Sequence, residues 1–445
     1  MKKLIASLFV ATFGYAAIAW NTPTEINTGA WTLNPINISV SRDGSNNQCA
    51  FYGIVADLYA NVRRSSESNW DAAALSNVEG GTSIAPNAYS VVGSNTSPFM
   101  AEWSDQTNIF TRVINANRTL GSIITVANDA KGGGQVSPRT LSADQSGNFL
   151  MAWRNNSDNT AAKYFNGTSW GTEINLGSAT NSINYSFMTS QGDGAGDFVV
   201  AWLDDSNRLV ANFRSNGTFT GSTVVDTGLT VGENSVTSSV QIKQTNTNGI
   251  FALAYVKNNV VYASFKGAGT TNTWTTPLAV SNSSETIIQL RIALSSLGNG
   301  QIVWSNLNGD IQSRSYKAST HTLGDILTIG TGKGSLLSQL QVDNLGNYAI
   351  MYTGPSNQTI FTIVNDSTTG VWQSPLQLFS TNNDIADLSL SINPRSNTAT
   401  AGFSDRTSST ITFYAISGTS QQQLGTASAG LFQKSFSADK KRRYR

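Results

Sequence analysis

Beyond residue 19 the chain alternates between strand-length apolar runs and clusters of Gly, Asn, Asp and Ser. The run Phe149-Leu-Met-Ala-Trp153, for example, stands between Ser146-Gly-Asn148 and Arg154-Asn-Asn-Ser157. Runs of this length bounded by turn formers predict β-strands, and no window after the first residues sustains a helical period. Aromatic residues that close such runs recur at Tyr52, Trp103, Trp153, Trp202, Tyr255, Trp304, Tyr352 and Phe403. Their spacings are 51, 50, 49, 53, 49, 48 and 51 residues, a period that signals a repeat architecture. Six residues before each stands Asn46, Ser97, Gly147, Gly196, Gly249, Gly298, Gly346 or Asn397. All but Ser97 are Gly or Asn, the residue types that accept positive φ in a tight turn.

One repeat can be read over 140–184. A first strand at 140–143 is followed by the turn Asp144-Gln-Ser-Gly-Asn148, a second strand at 149–153, a third at 161–165 and a fourth opening at Trp170. Four antiparallel strands in about fifty residues make one blade of a β-propeller. The predicted fold is therefore all-β, an eight-bladed β-propeller of four-stranded antiparallel blades. Seven blades is the alternative if the Tyr52 repeat is incomplete. A doubled period lies on top of the first. The fourth strand opens with Trp70, Trp170, Trp274 and Trp372 in odd repeats, whereas even repeats place Leu120-Gly121, Phe219 with Gly221, Leu323-Gly324 and Leu424-Gly425 there. Residues 20–26, Trp-Asn-Thr-Pro-Thr-Glu-Ile, repeat the fourth-strand pattern of Trp170-Gly-Thr-Glu-Ile174 ahead of any complete repeat. They are expected to clasp the ring as an outer strand of the blade containing Phe403, covering an edge that would otherwise invite aggregation.

The ends add location. Met1-Lys2-Lys3, an apolar run to Ile18 and the exit Ala17-Ile-Ala19 predict a secretory leader over 1–19, with the mature chain starting at Trp20 in a secreted or periplasmic, outer-surface setting. The propeller is assigned to 20–433. The segment 434–445 ends in Lys440, Lys441, Arg442, Arg443, Tyr444 and Arg445 and is expected to be a disordered tail able to touch an anionic surface. Only 12% of residues are charged and the formal net charge is +1, so no electrostatic pull toward nucleic acid is indicated. The single Cys49 cannot form an internal disulfide, and the single His321 removes His-rich metal sites. No catalytic residue, cofactor or metal ligand is assigned, and a monomer is expected.

The turn Asp-x-x-Gly-Asn, as in Asp144-Gln-Ser-Gly-Asn148 and Asp343-Asn-Leu-Gly-Asn347, followed by an apolar strand ending in Trp or Tyr, resembles the repeats of secreted bacterial β-propeller proteins, some of them lectins. The resemblance covers residues 36–433 and implies fold rather than ligand. More distantly, Ser142-Ala-Asp144 and the following Gly147 are similar to the Asp-boxes of sialidase-like propellers. They carry one extra residue between Asp and Gly and lie between first and second strands. No Phe/Tyr-Arg-Ile-Pro motif accompanies them. Independently of any resemblance, Asp144, Asp193 and Asp343 suit Asx-turns, in which the carboxylate accepts from backbone nitrogens further along.

The doubled period also nominates a site. Two residues after the second-strand aromatic, even repeats carry Asp105, Asp204, Asn306 and Asp405, while odd repeats carry Ile54, Asn155, Lys257 and Gly354. These loops join second to third strands and should open on the face that carries the connections between blades. They are candidates for a polar or cation-binding rim, against a plain turn preference of Asp and Asn. The function expected is a non-enzymatic extracytoplasmic scaffold presenting this face to a protein or surface partner. The alternatives are a glycan-binding propeller and a degenerate glycoside hydrolase, which needs only two suitably spaced carboxylates.

Overall fold

The computed structural model describes residues 16–422 apart from 31–37, 55–56, 71–74, 81–88, 95–97, 106, 132–138, 180–187, 195, 230–240, 245–248, 284, 332–335, 394–397 and 409. Most of the expected leader, the whole basic tail and Leu424-Gly425 lie outside the described residues. Among the described residues every regular element is a strand, and the strands form eight antiparallel sheets. Numbered by their second-strand aromatics, these are blades 1 to 8, which settles eight against seven. Blade 3 is representative, with strands Arg139–Ala143, Phe149–Arg154, Asn159–Phe165 and Ile174–Ser178 paired in chain order. Blade 1 has three strands, Ile38–Arg42, Gln48–Ile54 and Asp57–Arg63, and Leu75 bridges to Ala60 in the outer position.

The turn before the second strand has the expected backbone in six blades, while Ser97 and Asn397 lie outside the described residues. Asn46, Gly147, Gly196, Gly249, Gly298 and Gly346 take φ between +64° and +93°. In one respect the sequence reading needs correction. Trp170 makes only an isolated bridge to Phe165, and the fourth strand starts at Ile174. The indole is turned to the preceding blade, where its Nε1 donates to Thr111 Oγ1 at 3.2 Å, and the chain rejoins the ladder afterwards. Trp372 does the same to Ser313 Oγ at 3.2 Å. Blades 2 and 6 answer with arginines. Arg112 Nε donates to Gly121 O and Nη1 to Val78 O of the blade behind, at 2.7 and 2.8 Å. Arg314 repeats this with Gly324 O at 2.7 Å and Val280 O at 2.9 Å. Tryptophan thus spans the junctions behind blades 3 and 7, and arginine those behind blades 2 and 6.

The core is divided among the junctions. Among the described residues there are eight apolar clusters, and each joins two consecutive blades, so there are as many cores as contacts between blades. All eight second-strand aromatics are buried in them. Four of them reach backward with their polar tips: Trp153 Nε1 to Asp129, Trp202 Nε1 to Ser178 O, Tyr255 OH to Asp226 and Trp304 Nε1 to Glu285, at 2.7–3.1 Å. Large aromatics with one satisfied polar atom are suited to such contacts, and packing rather than sugar stacking accounts for these residues.

The ring is closed by the start of the chain in the blade containing Phe403, as expected, but by two strands with a break at 21–23 in place of one strand over 20–26, and the first of them, Ala16–Trp20, falls mostly within the segment expected to be a leader. In blade 8 the strands Asp384–Asn393, Thr398–Arg406 and Thr410–Gln422 are completed by Ala16–Trp20 and Thr24–Ala30, which both pair with Thr410–Gln422. The registers run from Ala16↔Gln422 to Trp20↔Gly418 and from Thr24↔Ala415 to Ala30↔Thr410. Ile26 is buried in the cluster that joins Ile411 and Phe413 of blade 8 to Tyr52 and Trp70 of blade 1.

Candidate functional site

The four nominated rim residues stand at the turns between second and third strands, and each is bonded within or beside its own turn. Asp105 Oδ1 accepts from the backbone nitrogens of Thr107 and Asn108 at 2.7 and 2.6 Å, and Oδ2 from Asn108 Nδ2 at 2.7 Å. Those bonds hold the Asp105 carboxyl below its ordinary pKa against the opposing effect of burial, which is the largest single influence. Asp204 Oδ1 accepts from Ser206 N and Arg208 N at 3.0 and 2.9 Å, and Oδ2 from Arg208 Nε at 2.7 Å. Asn306 Oδ1 accepts from Asp310 N at 3.0 Å, and Asp405 Oδ2 from Thr381 Oγ1 and Asn383 Nδ2 at 3.1 and 3.2 Å. Among the described residues no group of three or more His, Cys, Asp and Glu is placed to hold a metal ion.

The same geometry recurs at the opposite end of the blades. Asp144 Oδ1 accepts from Ser146 N and Asn148 N at 2.8 and 2.9 Å, and Asp343 Oδ1 from Leu345 N and Asn347 N at 2.9 and 2.8 Å. Those Asx-turns match the turn reading of the Asp-x-x-Gly-Asn motif. The rim does share the face of the blade-to-blade connections. Ala130 N donates to Thr107 O, Lys131 N to Arg154 O, Leu229 N to Asn207 O and Leu307 N to Thr286 O, so turn and connector brace each other. What remains outward is the tips, such as Asn156-Ser157, Asp205-Ser206 and Pro355-Ser356, which are exposed.

The axis is the second candidate. Inner-strand side chains accept hydrogen bonds from the backbone N–H groups of the next blade. Ser41 accepts from Gly93 N at 2.7 Å, Thr140 from Ser190 N at 3.2 Å, Gln339 from Leu390 N at 3.2 Å and Ser389 from Val40 N at 3.1 Å, the last across the closing junction. Inside this collar lies a cavity of about 510 Å³ whose wall includes Ser41, Ser94, Ser142, Ser190, Gln341 and Ser391. A volume of this order admits a small polar molecule.

The collar also holds charge that the sequence did not reveal. Asp387, on the inner strand of blade 8, accepts from Ile38 N at 2.7 Å and Leu388 N at 2.9 Å. Burial pushes its carboxyl up to about 7, while those backbone donors and the charge of Arg291 pull the other way. The Arg291 guanidinium, lowered to about 10 by burial, donates to the carbonyls of Ser338, Leu290 and Leu337 at 2.7–2.9 Å. Lys266 is likewise buried and lowered to about 8, but its ammonium donates to the carbonyls of Gly249, Gly267 and Gly269 and is not offered to a substrate. His321 stands exposed in a third-to-fourth-strand turn with Nδ1 2.9 Å from Tyr316 OH, and Cys49 is buried with its thiol pushed up by burial.

Comparison with known structures agrees with this geometry. The chain is similar to the Dos1 propeller, at 10% identity and a TM-score of 0.53, covering 88% of this chain and 95% of that one. The fold is a β-propeller. A prolyl endopeptidase matches at 12% identity and a TM-score of 0.48, over 88% of this chain and 55% of that one. A six-bladed fungal lectin from Aleuria aurantia with a fucose recognition mode matches at 10% identity and a TM-score of 0.39, over 80% and 99% of the two chains. At such identities the likeness carries the propeller fold and nothing about ligands. No protein-family model and no curated protein matches the sequence.

Proposed function

We propose that the protein is a non-enzymatic binding scaffold working outside the cytoplasm, which presents the second-to-third-strand turns of its propeller to a protein or surface partner. The observation that carries this reading is the bracing of that face. Asx residues and connectors fix the turns from beneath, as in the Ala130–Thr107 and Leu229–Asn207 bonds, while the tips stay exposed. A surface ordered before binding loses little conformational freedom on association. The exported setting rests on the apolar segment at 1–19.

The test places photo-crosslinking residues at Ser157, Ser206 and Ser356 on this face and at Ser146 and Leu345 on the opposite one. A partner captured only from the first set, and displaced by unlabelled protein, is the expected result. Equal capture from both sets, or none, would overturn the reading. A glycan ligand is the second reading, favoured by the polar axial cavity of about 510 Å³. A glycan-array signal that survives changes at the turn tips but is lost when Ser391→Phe fills the channel would move the ligand there.

A further inference from the structure

The junction between blades 8 and 1 departs from the others in one layer. Four residues before the second-strand aromatic, blades 2 to 5 place Phe99, Phe149, Phe198 and Phe251, all buried. Blade 1 places Gln48 there. The register pairs Gln48 with Arg42 on the inner strand and with Arg63 on the third strand, so three polar side chains form a row on one face of the sheet. That row meets Thr400 and Ser417 of blade 8, which are themselves a cross-strand pair. With the Gln48 amide turned to satisfy its surroundings, its oxygen accepts from Arg42 Nη2 at 2.7 Å and from Arg63 Nη1 at 2.6 Å. Its nitrogen then donates to Thr400 Oγ1 at 2.9 Å and Ser417 Oγ at 2.7 Å.

Two guanidinium groups therefore converge on one neutral oxygen. Arg42 is 7% exposed, and its Nε and Nη1, like Nε of Arg63, are buried without a hydrogen-bond acceptor among the described residues. No carboxylate lies within ion-pair distance of either guanidinium among the described residues. Asp43 is adjacent in sequence, but its oxygens accept from Ser45 N, Asn47 N and Asn47 Nδ2 at 2.7–3.0 Å. Glu67 near Arg63 is engaged by Arg118 Nη2 and Arg64 N, both at 2.8 Å. Elsewhere the fold does match such a charge, since Arg139 meets Glu102 at 2.6 Å in a buried ion pair. A buried guanidinium and a half-buried neighbour of the same charge, with hydrogen bonds to neutral oxygens but no counter-ion among the described residues, oppose folding. Burial and the neighbouring Arg63 bring Arg42 down to about 9, in keeping with that tension. Arg42 is also one of the residues lining the axial cavity.

We propose that Arg42 and Arg63 form a binding site for a small inorganic oxyanion of the phosphate or sulfate class at the closing junction of the ring. Guanidinium groups present planar forks of N–H donors that suit such ions better than a spherical halide. The site is separate from the turn tips and does not depend on what they bind. The test is thermal and chemical unfolding of the full protein with increasing phosphate, at constant ionic strength made up with gluconate, together with calorimetric titration of phosphate into the native protein. At phosphate 100 times its Kd the folded-to-unfolded ratio should rise about 100-fold. Arg42→Met and Arg63→Met should each abolish that dependence, and the titration decides the matter if either variant fails to fold. Equal stabilisation by phosphate, chloride and gluconate, an effect of chloride alone, or no heat of binding would overturn the proposal. So would an Arg63→Met protein more stable than the wild type at every phosphate concentration, the behaviour of an unoccupied pair of like charges.

Discussion

Ile26 offers the sharpest test of ring closure. It lies on the outer strand Thr24–Ala30, is 3% exposed, and fills a cluster built from Ile411, Phe413 and Ala415 of blade 8 and Tyr52, Ile54 and Trp70 of blade 1. Ile26→Ala removes a large part of that side chain where three separate stretches of chain meet. Such a site collapses poorly, so the expected loss is about 2–5 kcal/mol, the range for Ile-to-Ala in cores. Ile18 is the informative companion. It is 4% exposed on Ala16–Trp20 and belongs to the cluster between blades 7 and 8. In a protein retaining residues 16–19, Ile18→Ala should cost a similar amount. After removal of 1–19 as a leader, the same codon change alters nothing in the mature protein. Urea unfolding followed by tryptophan fluorescence reads both losses, and mass spectrometry of the purified protein shows which N-terminus it carries. An Ile26→Ala loss within about half a kcal/mol, as for an ordinary surface change, would refute the clasp.

Three further outcomes are expected. Asp387 keeps its proton up to about pH 7 in the folded chain, whereas unfolded it ionises near its ordinary value of 3.8. Between those values the folded state binds more protons, so its contribution is full below about pH 4 and is lost as pH rises through 7. Asp387→Asn should flatten that slope in unfolding experiments from pH 4 to 8, and an unchanged slope would reject it. Gly346→Ala forces a side chain onto φ +87° and should cost roughly 1–2 kcal/mol, whereas Gly267→Ala, with open space around it, should be near neutral by the same assay. Removal of residues 440–445 should weaken binding to anionic liposomes at low salt and have no effect at high salt, with equal low-salt binding counting against a surface role for the tail.

The parts of this architecture that repeat were legible before any coordinates, and the parts that break the repeat were not. The aromatics from Tyr52 to Phe403 and the turn residues six positions earlier are local signals: each reports its own strand end or backbone angle, and eight copies reinforce one another. The clasp was readable because residues 20–26 copy a fourth strand without the three that should precede it. The row of Arg42, Gln48 and Arg63 gave no such signal. Those residues become neighbours only through cross-strand register, and each alone looks like an ordinary polar residue near a turn. Asp387 was hidden for the same reason, since its partner Ile38 lies at the other end of the sequence. Asp105 and Asp204 were visible, but one sequence cannot distinguish an acid held for a ligand from one that accepts from the next backbone nitrogens.

The outer strand of blade 8 also sets a clock. Residues 24–30 are synthesised long before their hydrogen-bond partners, 410–415. Blades 1 to 7 can each assemble as their own fifty-odd residues arrive, but the third strand of blade 8 keeps a bare edge until the opposite end of the chain returns to it. With the pairing of Ala16–Trp20 onto the same strand, this ring-closing step has the highest sequence separation of the strand pairings among the described residues and is expected to be the slowest of them. A chain cut short before residue 410 would hold an unpaired leading strand and an open circle, vulnerable to proteases and to edge-to-edge association with its neighbours. Completion of the circle couples the two ends, so that fraying at one is resisted by everything packed against the other.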